Sequence, residues 1–240
     1  MKNSGHIGIV AVSAEGAALC YRTICAEGAQ LIGAHLHPEI SMHTFPLGEY
    51  MRPMDAGCWN EVADMMLESA RKLADCGADF LICPDNTAHQ AMDFFAGRSP
   101  RPWLHIAEEV ARVAAERGFK RVGVLGTSYL MEGPVYPAKL AARGIAHEIP
   151  TPDERCRISQ IIFDELVCGR FEQPARAYYA EVIAHLKDRG CDAVALACTE
   201  IPLLIGENDS PLPILDSTRI LARAALREAT SKSAHKESSR

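Results

Sequence analysis

The chain has 240 residues, 48% of them hydrophobic, with 14 prolines, 17 glycines and a formal charge of −6. A chain of this length buries a substantial core in roughly one or two domains, and an acidic balance with no dense basic run excludes a nucleic-acid-binding face. The opening MKNSGHIGIVAV is too short and too glycine-interrupted in its apolar part for a signal peptide or a membrane span, so a cytoplasmic protein with neither membrane nor nucleic acid as partner is expected.

Residues 6–12 read as a first β-strand, ending at the polar stretch 13–16, and residues 17–30 suit a helix. A second strand is expected at 40–45. Between 60 and 74, Val62, Met65, Met66, Ala70 and Leu73 recur at helical spacing. Gly77 closes that helix, and the continuous apolar strand 80–83 then meets Pro84 and the polar Asp85, Asn86 and Thr87. The grammar repeats. A helix at 106–115 stops at Gly118 and a strand at 121–125 ends in Gly126 and Thr127. A helix at 175–187 stops at Gly190, and a strand at 193–197 ends in Cys198, Thr199 and Glu200. Strands alternating with helices of this length predict βαβ units and mainly parallel sheets. The stretches CGADFLICP-DNT and GCDAVALA-CTE share one form about 110 residues apart, which points to an internal duplication and two similar α/β lobes.

Parallel α/β sheets bind ligands outside the carboxyl ends of their strands, and four polar stretches occupy such ends: 13–16, 85–87, 126–128 and 198–200. The helix starts that follow offer free N–H groups to a carboxylate. The plainer reading is that Ser13, Asp85 or Asn86, and Thr127 or Ser128 cap helices. The nine cysteines are an odd number with no CxxC pair, so a zinc ribbon or thioredoxin-like motif is not expected and no metal site is assigned. Most are read as small buried hydrophobes in a reducing compartment. Cys198 differs, because a thiol between a strand end and a helix start is eased toward the thiolate; a buried structural cysteine is the competing reading. If the lobes are related by a pseudo-twofold, Asp85 and Cys198 face each other across a cleft. Inversion at a carbon needs that arrangement, with a base on one face and an acid on the other.

At this point the chain resembles a known family. PDNTAH (84–89) and ACTEIPLLI (197–205) look like the paired signatures of the aspartate/glutamate racemases, and HPEIS (37–41), LGT…MEGPVY (125–136), IIFDELVCGRF (161–171) and ILDSTRILA (214–222) agree with them. The likeness runs from about residue 6 to 226. It implies an α/β fold of two pseudo-symmetric lobes, each a mainly parallel sheet flanked by helices, with the active site in the cleft between them. The first lobe is then 1–102, completed by a returning segment 207–228, and the second is 103–206; the polar stretch 229–240 is expected to fray. The implied activity is that of an isomerase: a racemase or epimerase independent of pyridoxal phosphate, using no cofactor, acting on a small carboxylated amino acid, and assembled as a homodimer. Asp85 and Cys198 are the implied catalytic pair, with Ser13, Arg52, Asn86, Thr87, Thr127, Thr199 and Glu200 around the substrate. His89 either orients Asp85 or sits in a packed interior.

The chain departs from the family pattern at several positions. Asp85 stands where cysteine is usual, Leu130 where threonine is common, Val167 in place of a lysine, and Leu221 in place of a histidine. Arg52 and Arg170 are the cations left to anchor a carboxylate. A carboxylate ionises near 3.9 against roughly 8.5 for a thiol, so Asp85 is a weak base unless burial raises it. Cys83, two residues upstream on the same strand face, is an alternative thiol. Two further functions stay open: a cofactor-free decarboxylase or cis–trans isomerase working through Cys198 alone, and a non-catalytic binder of a small dicarboxylate.

Overall fold

Five consecutive residues, IGIVA, form β1 (Ile7–Ala11), and every one of them is buried. A strand covered on both faces reads as a continuous apolar run, the mark of a parallel sheet with helices on either side. The computed structural model describes residues 4–95 and 97–237. After β1 come α1 (Ala14–Ile32), β2 (Ile40–Thr44), α2 (Leu47–Asp55), α3 (Trp59–Asp75), β3 (Phe80–Ile82), a 3₁₀ helix (Thr87–Phe94) and β4 (Trp103–Leu104). Then follow α4 (Ile106–Glu116), β5 (Arg121–Leu125), α5 (Ser128–Met131), α6 (Pro137–Ala141), β6 (Ala146–Glu148) and α7 (Pro152–Ile161), which runs into a π-helical turn (Ile162–Leu166). The chain ends with α8 (Gln173–Asp188), β7 (Ala193–Leu196), α9 (Ile201–Leu204), a short 3₁₀ turn (Glu207–Asp209), β8 (Ile214–Asp216) and α10 (Ser217–Glu237).

The strands form two four-stranded sheets, ordered β2-β1-β3-β4 and β6-β5-β7-β8, and all their pairings are parallel. The identical order is the structural form of the repeat seen in the sequence. In the first sheet Ile9 pairs with Met42 on one side and Ile82 on the other. Successive side chains of a strand point to opposite faces, so Val10 and Leu81 meet α3, through Val62, Met66, Leu67, Ala70 and Leu73. On the other face Ile7, Ile9, Phe80 and Ile82 pack with Cys20 and Ile24 of α1 and with Leu221, Ala222, Ala225, Leu226 and Ala229 of α10. The glycines read as helix stops, Gly77, Gly118 and Gly190, all adopt positive φ (94°, 79° and 88°). This is the left-handed geometry that ends a helix and that side chains with a Cβ disfavour.

The chain divides into two compact units, Met1–Ile106 with Leu221–Arg240, and Ala107–Ile220. The expected return at 207 shifts to Leu221 because β8 pairs with β7, which ties the segment before α10 to the second unit. Of the tail expected to fray from 229 to 240, residues through Glu237 are helical and Ala229 is fully buried, while 238–240 lie outside the described residues. The reason is that α10 covers one face of the first sheet. No helix among the described residues is long and apolar enough to cross a membrane.

Candidate active site

Within each sheet the chain leaves one central strand for a neighbour on one side and then returns to pair on the other. From β1 it goes to β2 and comes back to β3; from β5 it goes to β6 and comes back to β7. The crevice at such a reversal, outside the carboxyl ends of the strands, is where open α/β sheets bind ligands. The four polar stretches noted in the sequence follow these four central strands. Residues 13–16 and 85–87 are therefore neighbours in the first unit, and 126–128 and 198–200 in the second.

In the first unit, Ser13 caps α1: its Oγ accepts the Gly16 N–H at 3.2 Å. Asp85 is half-buried and its Oδ1 accepts the Ala88 N–H at 2.9 Å, at the start of the 3₁₀ helix that stands where an α-helix was expected. Asn86 is buried and Thr87 half-buried beside it. His89 is only 2% exposed. Its Nε2 accepts the Ile106 N–H at 3.1 Å, so the ring proton is on Nδ1, which donates to the Asp85 carbonyl at 2.7 Å. Both readings of His89 therefore hold: it is packed inside, and it fixes the backbone of Asp85. Cys83 is fully buried, and burial first, then the Asp85 charge, push its thiol well above the ordinary range. A thiol held protonated in this way makes a poor substitute base. Arg52 is exposed and makes no ion pair among the described residues. Two residues from buried Tyr50 on α2, it points away from the packed face of that helix.

In the second unit, Thr127 caps α5, with its Oγ1 accepting the Leu130 N–H at 3.4 Å, and the Ser128 N–H donates to Ser159 Oγ at 2.8 Å. A Cβ built on Gly126 would lie 3.0 Å from the Ala197 carbonyl oxygen. Only glycine lets the end of β5 approach the backbone just before Cys198 this closely. Cys198 is 9% exposed, and its Sγ–H donates to Glu200 Oε2 at 3.1 Å; Thr199 Oγ1 donates to the same oxygen at 2.9 Å. The following helix, α9, is a single turn. Tyr179 on α8 belongs to the same buried cluster as Cys198. Burial is the first cause that holds its phenol well above its ordinary value, and Cys198, Glu165 and Glu200 are neighbours that add to it.

Leu130 and Leu221, in place of the family's polar residues, are buried in the cores of the second and first units respectively, while Val167 is exposed. Arg170 donates to the Asp164 carbonyl and so braces the end of the π turn. Among the described residues no group of three or more His, Cys, Asp or Glu is placed to hold a metal. Sequence reasoning missed Tyr179, which occupies an apolar position of an amphipathic helix and carries no mark of its surroundings. The bonds from Cys198 and Thr199 to the Glu200 carboxylate were also not foreseen, although the run Cys-Thr-Glu placed the three side by side.

A family model described as Asp/Glu/Hydantoin racemase matches residues 9–225. The broad specificity amino-acid racemase RacX of Bacillus subtilis is 25% identical over 191 residues, covering 79% of this chain and 81% of that protein. A structure from Yersinia pestis assigned to the Asp/Glu racemases superimposes with a TM-score of 0.85 at 29% identity, over 92% of this chain and 97% of the other. An aspartate racemase homologue from Pyrococcus horikoshii has the same fold, with a TM-score of 0.80 at 24% identity over 95% of this chain and 98% of that one. With the model matching nearly the whole chain and both signatures seated at the ends of central strands, the chain belongs to the Asp/Glu/hydantoin racemase family.

Proposed function

We propose that this chain is an amino-acid racemase or epimerase that inverts the Cα of a small carboxylated amino acid by two-base proton transfer between Asp85 and Cys198. The observation that carries the reading is the matched placement of these residues: each follows the third strand of its unit, in sheets of identical order. Asp85 takes the Cα proton on one face, leaving the C–H electron pair as a carbanion conjugated with the substrate carboxylate. The Cys198 thiol returns a proton to the opposite face and becomes a thiolate. Proton exchange then resets both groups. Transfer by a positioned acid or base contributes about 10²–10⁴-fold. Asn86, Thr87 and Thr199, with the N–H groups at their helix starts, supply donors for the substrate carboxylate. The substrate is the only partner this reading requires, and no step calls for a cofactor.

A second reading is favoured by one contact. The Asp85 Oδ1 is engaged with the Ala88 N–H, which suits a helix cap with no part in proton transfer. Cys198 then works alone, as in a decarboxylase that protonates an enolate or an isomerase that adds to an alkene. A panel of amino acids incubated in D2O and followed by NMR separates the two. Loss of the Cα–H signal with appearance of the other enantiomer is expected, and Cys198→Ala abolishes it. Release of CO2 or alkene isomerisation without Cα exchange supports the second reading and removes the first.

A further inference from the structure

Glu200 was expected beside the substrate, and its carboxylate is buried against Cys198 and Thr199. The residue is 4% exposed, and its Oε2 receives both the Cys198 Sγ–H, at 3.1 Å, and the Thr199 Oγ1–H, at 2.9 Å. It forms no ion pair with any lysine, arginine or histidine among the described residues. A buried carboxylate is tolerated only where hydrogen bonds replace its water, and here the two donors come from the adjacent signature residues. The same neighbourhood holds the Tyr179 hydroxyl, which is fully buried and has no hydrogen-bond partner among the described residues.

The geometry points to Glu200 as a positioning residue that keeps Cys198 in its S–H form, so that Cys198 enters the reaction as proton donor and Asp85 as proton acceptor. This assignment of direction rests on the two-base reading above; the hold on the thiol does not. Two considerations support it. First, an anion at 3.1 Å accepts a hydrogen bond from S–H but repels S⁻, so ionising the thiol loses the bond and sets two like charges side by side. Secondly, Thr199 fixes the accepting oxygen, so the carboxylate cannot swing away cheaply. The outcome is a polarised pair. The resting enzyme, with a carboxylate on one side and a thiol on the other, engages the enantiomer whose Cα–H faces Asp85. The opposite enantiomer needs the less populated form, with Asp85 protonated and Cys198 a thiolate. Because the two enantiomers are equal in free energy, kcat/KM must be the same in both directions, so the polarity appears as unequal KM and kcat values.

The test is alkylation of the intact protein with iodoacetamide across pH 6–10, read at each cysteine by mass spectrometry. The exposed Cys76, Cys156 and Cys168 serve as internal standards. Wild-type Cys198 is expected to react far more slowly than these at pH 7–8. Glu200→Gln keeps the shape and an acceptor oxygen but removes the charge, and is expected to raise Cys198 alkylation about tenfold at pH 7, the effect of roughly one unit in thiol ionisation. Glu200→Asp keeps the charge and is expected to remain slow. An unchanged or slower rate in a folded Glu200→Gln protein overturns the proposal. Should that variant fail to fold, the thiolate absorbance of wild type minus Cys198→Ala decides. A Cys198 thiolate signal already complete at pH 8 overturns the proposal, and its absence until higher pH supports it. Neither readout requires turnover, so a failed racemase assay beside a faster Glu200→Gln thiol refutes the two-base reading and leaves the hold on Cys198 standing.

Discussion

A helix cap and a catalytic base make opposite demands on a carboxylate, and Asp85 is the residue where they meet. Its Oδ1 accepts the Ala88 N–H at 2.9 Å, while its carbonyl receives the His89 Nδ1–H at 2.7 Å. The residue is thus held both through its carboxylate and through its carbonyl. Asp85→Asn preserves the cap, since asparagine caps as well as aspartate, but removes the basicity. The expected result is an unchanged melting temperature with racemisation down by about 10²-fold or more, measured by polarimetry on the substrate the D2O panel identifies. Full activity in this variant would assign Asp85 to capping alone and leave Cys198 as the single working group. At this scale the residue types in PDNTAH and CTE were legible in the sequence as chemistry. The partners were not, because neither the Ile106 N–H, 17 positions from His89, nor the bond from Cys198 to Glu200 follows from local spacing.

At the scale of elements, the long periodic helices and buried strands sit within a few residues of where hydrophobic pattern puts them. The strand at 121–125 coincides with β5, and the helix at 60–74 is α3 with one residue added at each end. Apart from the long α10, the elements without a forecast are short or irregular: α2 with Pro53 inside it, β4, β6 and β8, α6, and α7 with its π turn. A strand of two or three residues gives too few positions for alternation to register. α7 starts at a capping box formed by Thr151 and Glu154. Glu154 also accepts from His185 of α8 at 2.7 Å. Burial opposes the charge on Glu154, but the bonds from His185 and Thr151 and the Arg189 charge outweigh it, and its carboxyl is held below the ordinary range. The same bond raises His185. The stability from Glu154 is present above its unfolded pKa of about 4.3 and is lost as pH falls through its lower folded value. That from His185 is complete below about 6.5 and is lost as pH rises through its higher folded value. The contribution of this contact between α7 and α8 should therefore be greatest between about pH 4.5 and 6.5. Melting curves across pH 3–9 should show that maximum in wild type and a flatter profile in Glu154→Gln. Thr151→Ala, which removes the cap and a bond to the Glu154 carboxylate, should cost about 1 kcal/mol near pH 6 and less as pH falls and Glu154 protonates.

For the whole molecule, the decisive feature is that the chain comes back to the unit it started from. α10 brings Leu221, Ala222, Ala225, Leu226 and Ala229 onto the face of the first sheet formed by Ile7, Ile9, Phe80 and Ile82. Burial of the two leucines alone is worth about 3–6 kcal/mol, against a total of about 5–15 for a typical domain. A chain ending at Ile220 is expected to expose that face and lose the protease resistance of residues 4–106, while 107–220 keeps its own core and survives. Limited proteolysis read by mass spectrometry checks this, and a resistant first unit in the truncated chain would show that α10 is dispensable. Periodicity and glycine stops determined the α/β class, the parallel sheets and the duplication, because they are written in residues a few positions apart. The strand ends that bear Asp85 and Cys198 were readable for the same reason. Only tertiary structure decided where the first unit closes, that α10 runs as a helix where polar composition suggested fraying, that Cys83 is fully buried, and that Glu200 bonds to the thiol. Each of these depends on which surface covers a segment, and that surface is supplied by residues far away in the chain.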